Sequence, residues 1–223
     1  MENKVPENPS KNRSRDFNAL VVVSCLLVTL YLTANLMAVK IIRIGSVSLF
    51  DAGTLTFPFT YMLGDVLAEV WGYRTARKVV FLTFLSNCLL VIFTAVGVIL
   101  PYPDYMQPVQ EAYSAIYTYV PRIVAASLIS FLLGELSNAK ALVLIKRIQK
   151  KKERLWVRTV GSSMVGYLFD TVLFVLLAFS FTVPAGELAQ MIIVQYAAKL
   201  VIEMLAGTPL AYAAVRKLAG GIG

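Results

Sequence analysis

The sequence predicts an all-α integral membrane protein of six transmembrane helices whose interior carries charge. Two observations predict it. Of the 223 residues, 58% are hydrophobic and 15% charged, whereas soluble domains are roughly 45–50% apolar. That excess is more than one small soluble core can bury. The lysines and arginines, which bring the formal net charge to +8, fall in short clusters between apolar runs and not along one polar face. A membrane explains that distribution better than a nucleic-acid partner does, so no direct contact with nucleic acid is expected.

Taken in order, residues 1–16 are polar, with Lys4, Lys11, Arg13, Arg15, Pro6 and Pro9, and read as a flexible tail. The apolar run Phe17–Val39 follows. It exceeds the roughly 7–15 residues of a signal-peptide core and reads as a retained helix. Further spans are expected at Leu49–Val70, Val79–Leu100, Ile123–Ile145, Val160–Phe181 and Leu188–Val215, each near the ~20 residues that cross a bilayer. The membrane domain therefore covers 17–217, and 218–223 form a C-terminal tail.

An even number of spans places both termini on one side. The basic clusters lie in the tail, at Arg74, Arg77 and Lys78, from Lys146 to Arg158, and at Arg216 and Lys217, all on that same side. The other loops hold only Lys40, Arg43 and Arg122. By the positive-inside rule both termini are cytoplasmic in a multi-pass protein of the cell membrane. The connection Pro101–Pro121 is then external, and Tyr113, Ile116, Tyr117 and Val120 recur in it at the spacing of a short interfacial helix.

Several classes of chemistry are excluded at this stage. The chain has no histidine, which removes the commonest zinc ligand, the Ser-His and Cys-His pairs and the usual neutral-pH base. Cys25 and Cys88 both sit in apolar runs and read as small core residues, not as a redox pair. No catalytic set, metal or cofactor is expected.

Within the predicted spans lie Asp65, Glu69, Glu135, Asp170, Lys199 and Glu203, with Lys140 nearer an inner end. An ionised group at mid-bilayer costs about 2.5–3.5 kcal/mol on insertion scales, so each needs a partner or a watery cavity. Asp65 and Glu69, Glu135 and Asn138, and Lys199 and Glu203 are three or four apart, so each pair shares a helix face. Lys199 and Glu203 either neutralise each other or meet a ligand, and Glu69 either faces the interior or the cytoplasmic interface. Lys140 is expected to snorkel to the headgroups. Asp170 has no charged neighbour one turn away, so its partner is another helix, a ligand or a proton.

The second span is interrupted by Gly53, Pro58 and Gly64, and broken spans often mark transport sites. Ala34-Asn35 and Ser137-Asn138 precede Asp65 and Asp170 by similar distances. That spacing fits a 3+3 inverted repeat with a site, including Asn35, at the bilayer midplane.

Three stretches carry a family likeness: Phe57–Lys78 (FPFTYMLGDVLAEVWGYRTARK), Pro121-Arg122-Ile123 leading into Gly134–Lys140 (GELSNAK), and Arg158–Ser163 (RTVGSS) leading through Gly166 to Asp170. In content, order and spacing the chain resembles the queuosine-precursor transporters, a branch of the vitamin uptake transporter family. Weaker similarity surrounds Ala34-Asn35 and Lys199 to Pro209. One departure is Tyr167, where that family often has a carboxylate.

The resemblance implies a membrane importer of a small-molecule deazapurine: 7-cyano- or 7-aminomethyl-7-deazaguanine, or queuine, salvaged into a modified tRNA nucleoside. Carboxylates suit a guanine-like edge, because its adjacent N–H donors fit a two-point hydrogen bond, and an asparagine can pair with the carbonyl edge. Glu135, Asp170, Asp65 and Asn138 are the candidates. Phe57, Tyr61 and Trp71 could stack on the flat ring, although each equally suits a lipid-facing or interfacial position.

Two other readings stay open. Asp65 and Asp170 could form an intramembrane aspartyl protease dyad, but the chain has Leu63-Gly64-Asp65 and no Gly-x-Gly-Asp segment. A substrate-capturing subunit of an ATP-driven importer would need a separate energising module, since no Gly-x-x-x-x-Gly-Lys-Ser/Thr loop is present. Whether the chain forms a homodimer, and whether a proton drives it, is left open by the residues.

Overall fold

The computed structural model describes residues 9–45, 47–148 and 155–219. The start of the predicted N-terminal tail, part of the basic loop that holds Lys150, Lys151, Lys152 and Arg154, and the last residues of the C-terminal tail lie outside the described residues.

Helix α1 runs from Pro9 to Met37, so helix is already formed inside the stretch read as tail. Two short antiparallel strands follow, β1 (Ile41–Ile44) and β2 (Val47–Asp51). Their β-branched residues suit a strand, and Gly45, at φ +61°, supplies the left-handed turn between them. The hairpin is closed by the Ala52 N–H donating to the Lys40 carbonyl at 2.7 Å. A 3-10 turn, Ala52–Leu55, then leads into α2 (Phe57–Trp71), whose first turn accepts Pro58 without loss of a bonded N–H.

This corrects the expectation of one helix over Leu49–Val70. That segment is strand, 3-10 turn and a 15-residue helix, which at 1.5 Å per residue is about 22 Å long and short of the ~30 Å hydrocarbon core. The run was apolar enough for a span because its first part is buried against protein, with Asp51, Ala52, Gly53 and Thr54 all enclosed.

Gly72 reverses the chain at φ +82° into α3 (Tyr73–Ile99). A short helix, α4 (Gln107–Tyr117), occupies the connection where an interfacial helix was expected. Helices α5 (Val120–Ile148) and α6 (Leu155–Phe179) form an extensive antiparallel pair. Helix α7 (Ala185–Ile202) passes through a π-helical turn, Glu203–Gly207, into α8 (Thr208–Ala219). Pro209 explains the wide turn, since it has no N–H to give the Leu205 carbonyl and its ring crowds that carbonyl.

Five helical stretches of the described chain are long and apolar enough to cross a membrane. Their outer surfaces are apolar, as on α3, where Phe81, Leu82, Leu89, Ile92 and Phe93 are exposed. Such a surface is stable only in hydrocarbon. The protein is therefore a multi-pass helical membrane protein.

The interior is layered. At the end that bears the hairpin, Ile123, Phe174, Val175, Phe179 and Met191 pack together. At the end that bears the α2–α3 turn, Val23, Leu27, Leu63, Leu67 and Val79 do so. Between these two apolar layers lie the buried polar groups.

Candidate functional site

A close contact between α5 and α6 builds the site. Glycines at 134 and 166 let α5 and α6 approach until their backbones touch, the small-residue packing used where no hydrophobic force joins helices. A Cβ at Gly134 would lie 2.9 Å from the Asp170 Cβ and 3.0 Å from the Gly166 carbonyl oxygen. One at Gly166 would lie 2.9 Å from the Asn138 Cβ. The two glycines of the GELSNAK and Gly166-to-Asp170 stretches thus seat Asp170 against the backbone of α5 at Gly134, and Asn138 against that of α6 at Gly166.

Two chambers flank this contact. The first, toward the hairpin, is lined by Asn35, Asp51, Thr54, Ser127, Asp170, Gln195 and Lys199, with Phe57 and Phe174. Its charged groups are almost fully enclosed, at 2% exposure for Asp51, 1% for Asp170 and 2% for Lys199. The Lys199 Nζ donates to the Asp170 Oδ2 at 2.8 Å and lies 5.1 Å from the centre of the Phe57 ring. Thr54 donates to the Asp51 carboxylate at 3.0 Å. Asn35 donates to Asn87 on α3 at 2.6 Å, which fixes its amide.

The second chamber, toward the α2–α3 turn, is lined by Tyr61, Asp65, Glu135, Asn138, Ser163, Tyr167 and Glu203. Asp65 and Glu135 are exposed into it, whereas Glu203 and Asn138 are half-buried. The carbonyl oxygen of the Asn138 amide and the Glu203 Oε2 have no protein partner.

A chain of aromatic rings stands between the chambers. Ring centres are 5.5 Å apart for Tyr31 and Phe57, 5.4 Å for Phe57 and Tyr61, 5.5 Å for Tyr61 and Phe131, and 5.1 Å for Tyr61 and Tyr167. The tilted and edge-to-face geometries are those that aromatic quadrupoles favour. In this conformation each chamber has room for only a few water molecules, so a fused bicyclic ring must widen it.

The sequence-predicted residues divide accordingly. Asn35, Phe57, Asp170 and Lys199 meet in the first chamber, and Tyr61, Asp65, Glu135, Asn138 and Glu203 in the second. Glu69 is exposed and lines neither, and Lys140 is exposed as a snorkelling lysine would be. Trp71 also lines neither, because its indole Nε1 donates to Asp16, two turns into α1 and 2.6 Å away.

Of the two readings of Lys199 and Glu203, mutual neutralisation or contact with a ligand, the first is not what the structure shows, since the Lys199 ammonium pairs with Asp170 on α6. Glu203 keeps α-helical register with Lys199, its N–H still donating to the Lys199 carbonyl, so the two part at the level of their side chains. Each residue goes to a different chamber.

Of the lining groups that escaped the sequence reading, four are instructive. Asp51 hides at the base of a hairpin read as helix, and Tyr167 stood out only as a departure from a family pattern. Gln195 is one turn before Lys199 on the same face, a spacing that was legible had neutral amides been followed along with charges. Ser127 gave no signal, although it meets the Tyr31 hydroxyl at 3.1 Å.

Lipid-facing helices around a polar, partly unsatisfied interior define a membrane transport protein. The chain matches the family described as "Putative vitamin uptake transporter" over residues 51–214 and belongs to that family.

A "Probable queuosine precursor transporter" of Bacillus subtilis (strain 168) is 31% identical over 185 residues, 83% of this chain and 80% of that protein. A protein of the same name from Haemophilus influenzae is 27% identical over 160 residues, 70% of this chain and 65% of that protein. The "Queuosine precursor transporter" of Escherichia coli (strain K12) is 24% identical over 129 residues, 57% of this chain and 54% of that protein. No solved structure matches the chain.

Proposed function

We propose that the chain imports a queuosine precursor of the 7-deazaguanine class, 7-cyano- or 7-aminomethyl-7-deazaguanine or queuine, across the cell membrane with both termini in the cytoplasm. The names of its relatives point to this substrate class. The observation that carries the reading onto this chain is the second chamber, where Asp65, Glu135, Glu203 and Asn138 face one space beside Tyr61 and Tyr167.

A carboxylate there can accept the two adjacent N–H donors of a guanine-like edge, and Asn138 offers an amide for the opposite edge. Stacking on Tyr61 or Tyr167 adds about 1–3 kcal/mol per ring on the scale of nucleic-acid bases. Asp170 supports the site from behind, because it is committed to Lys199. Access alternates between the membrane faces as the aromatic partition opens to one side or the other. No step of this needs bond making, so the protein acts as a carrier and not as a protease.

The test is queuosine in the tRNA of cells unable to make its precursors, with and without this chain, fed each deazapurine at low concentration. Restored queuosine establishes import and ranks the substrates. Absence of queuosine with every precursor, while the protein is present in the membrane, overturns the substrate assignment. Uptake by the purified chain in liposomes tests whether it works without a separate energising module.

A further inference from the structure

We propose that the chamber at the hairpin end is a binding site for one monovalent cation, a proton or an alkali-metal ion, distinct from the deazapurine site. The proposal rests on the transporter reading only for its consequence, coupling, and not for the site itself.

Charge balance is the first argument. Asp51, Asp170 and Lys199 share one enclosed space at 2%, 1% and 2% exposure, so two carboxylates face one ammonium. The other polar lining groups, Asn35, Thr54, Ser127 and Gln195, are neutral. Tyr31, Tyr61 and Glu135, on α1, α2 and α5, feel the charge of Asp170, and none of them brings positive charge. Asp51 is acted on by the charge of Lys199, the same ammonium that Asp170 holds. One negative charge in a water-poor interior is uncompensated, and such a charge is strongly unfavourable without a partner.

Hydrogen bonding is the second and independent argument. The Asp170 Oδ1 and the Gln195 Oε1 are buried with no hydrogen-bond partner, although each residue is only 1% exposed. Buried acceptors are rarely left so. With Asp51 they offer oxygen from three separate elements to a space large enough for one small ion and too small for a ring. A divalent ion would overshoot the missing charge, whereas a monovalent one matches it.

Occupation of this site would change how strongly β2 is held to α6 and α7. Helix α6 carries Tyr167 of the aromatic partition and α7 carries Lys199, which lies over the Phe57 ring, so the cation biases which face the carrier opens toward.

The first test uses the purified full-length protein without substrate. Its melting temperature is measured against sodium, potassium and choline at fixed pH, and against pH at fixed salt, for the wild type and Asp51→Asn. A specific sodium response in the wild type assigns an alkali ion, and a pH response without one assigns a proton. In either case Asp51→Asn, already relieved of the extra charge, responds at least several-fold less. Equal responses of the two proteins, or none in either, overturn the proposal.

The second test uses liposomes with the membrane potential clamped. An inward tenfold gradient of the assigned cation concentrates the deazapurine by up to about tenfold at one-to-one coupling. Asp51→Asn still exchanges substrate across the membrane but no longer concentrates it. Concentration by Asp51→Asn equal to the wild type sinks the coupling role. A wild type that exchanges no deazapurine sinks the substrate reading, while the melting experiment still decides the cation site.

Discussion

Lys199 on α7 reaches across to Asp170 on α6, with 2.8 Å between Nζ and Oδ2 and both side chains almost wholly enclosed. The pair ties together two of the helices that enclose the chamber, and α6 in turn is pressed against α5 through Gly134 and Gly166. Arg122 fastens the same unit at its end by donating to the Leu177 and Ser180 carbonyls where α6 terminates. Those carbonyls have no partner within the helix, and a guanidinium both bonds them and answers the negative end of the helix dipole.

Breaking the ion pair from one side leaves a buried charge alone. Lys199→Met is expected to destabilise the protein by about 3–5 kcal/mol, and the double variant Lys199→Met, Asp170→Asn to recover most of that loss. Thermal unfolding of the four proteins in detergent measures it. A double variant that loses the sum of the two single losses would show that the two residues act separately.

The glycine contact makes a prediction with two signs. Gly166→Ala places a methyl group 2.9 Å from the Asn138 Cβ and 3.2 Å from the Gly134 carbonyl oxygen, an overpacking that costs about 1–3 kcal/mol. Gly64→Ala in α2 meets nothing within 4 Å and gains about 0.5–1 kcal/mol from helix propensity. The melting temperature should fall for the first variant and rise for the second. The same direction in both would remove close packing as the reason for Gly166.

Helices α1, α3, α5 and α6 were legible in the sequence because an apolar run of span length has few other solutions, and their polar residues appear at helical spacing. The hairpin was not legible. Strand pairing of Ile41 with Asp51 and Ile42 with Phe50 is a relation between residues ten and eight apart, and Leu49 to Phe59 is as apolar as a helix would be. The charges show the same division. The residue types that gather in the interior could be read from hydropathy alone, but the partner of Lys199 could not. Spacing reports neighbours on one helix, whereas Asp170 lies 29 positions away on another.

The proposed orientation, with both termini cytoplasmic, rests on where the basic residues fall. In a background with Cys25 and Cys88 replaced by serine, Asp104→Cys, between α3 and α4, is expected to react with a membrane-impermeant maleimide in intact cells. Arg216→Cys, in the last turn of α8, should react only after the cells are permeabilised. Reversed labelling would invert the carrier in the membrane and leave its fold untouched.

The two aromatic candidates Tyr61 and Trp71 separate site from scaffold. Tyr61 borders the chamber with Glu135 and Asn138, whereas the Trp71 indole is bonded to Asp16. On the proposed function Glu135→Gln removes a charged acceptor from the substrate edge, and a hydrogen bond to a charged group is worth about 1.5–3 kcal/mol, or about 10–100-fold in affinity. Tyr61→Leu removes a stacking face of comparable worth. Trp71→Phe should leave affinity unchanged while lowering stability by about 1 kcal/mol through the lost bond to Asp16. Equilibrium binding of labelled deazapurine to the purified proteins, together with their melting temperatures, separates the two effects. If Trp71→Phe weakened binding as much as Glu135→Gln did, the substrate would have to sit nearer the α2–α3 turn than the second chamber.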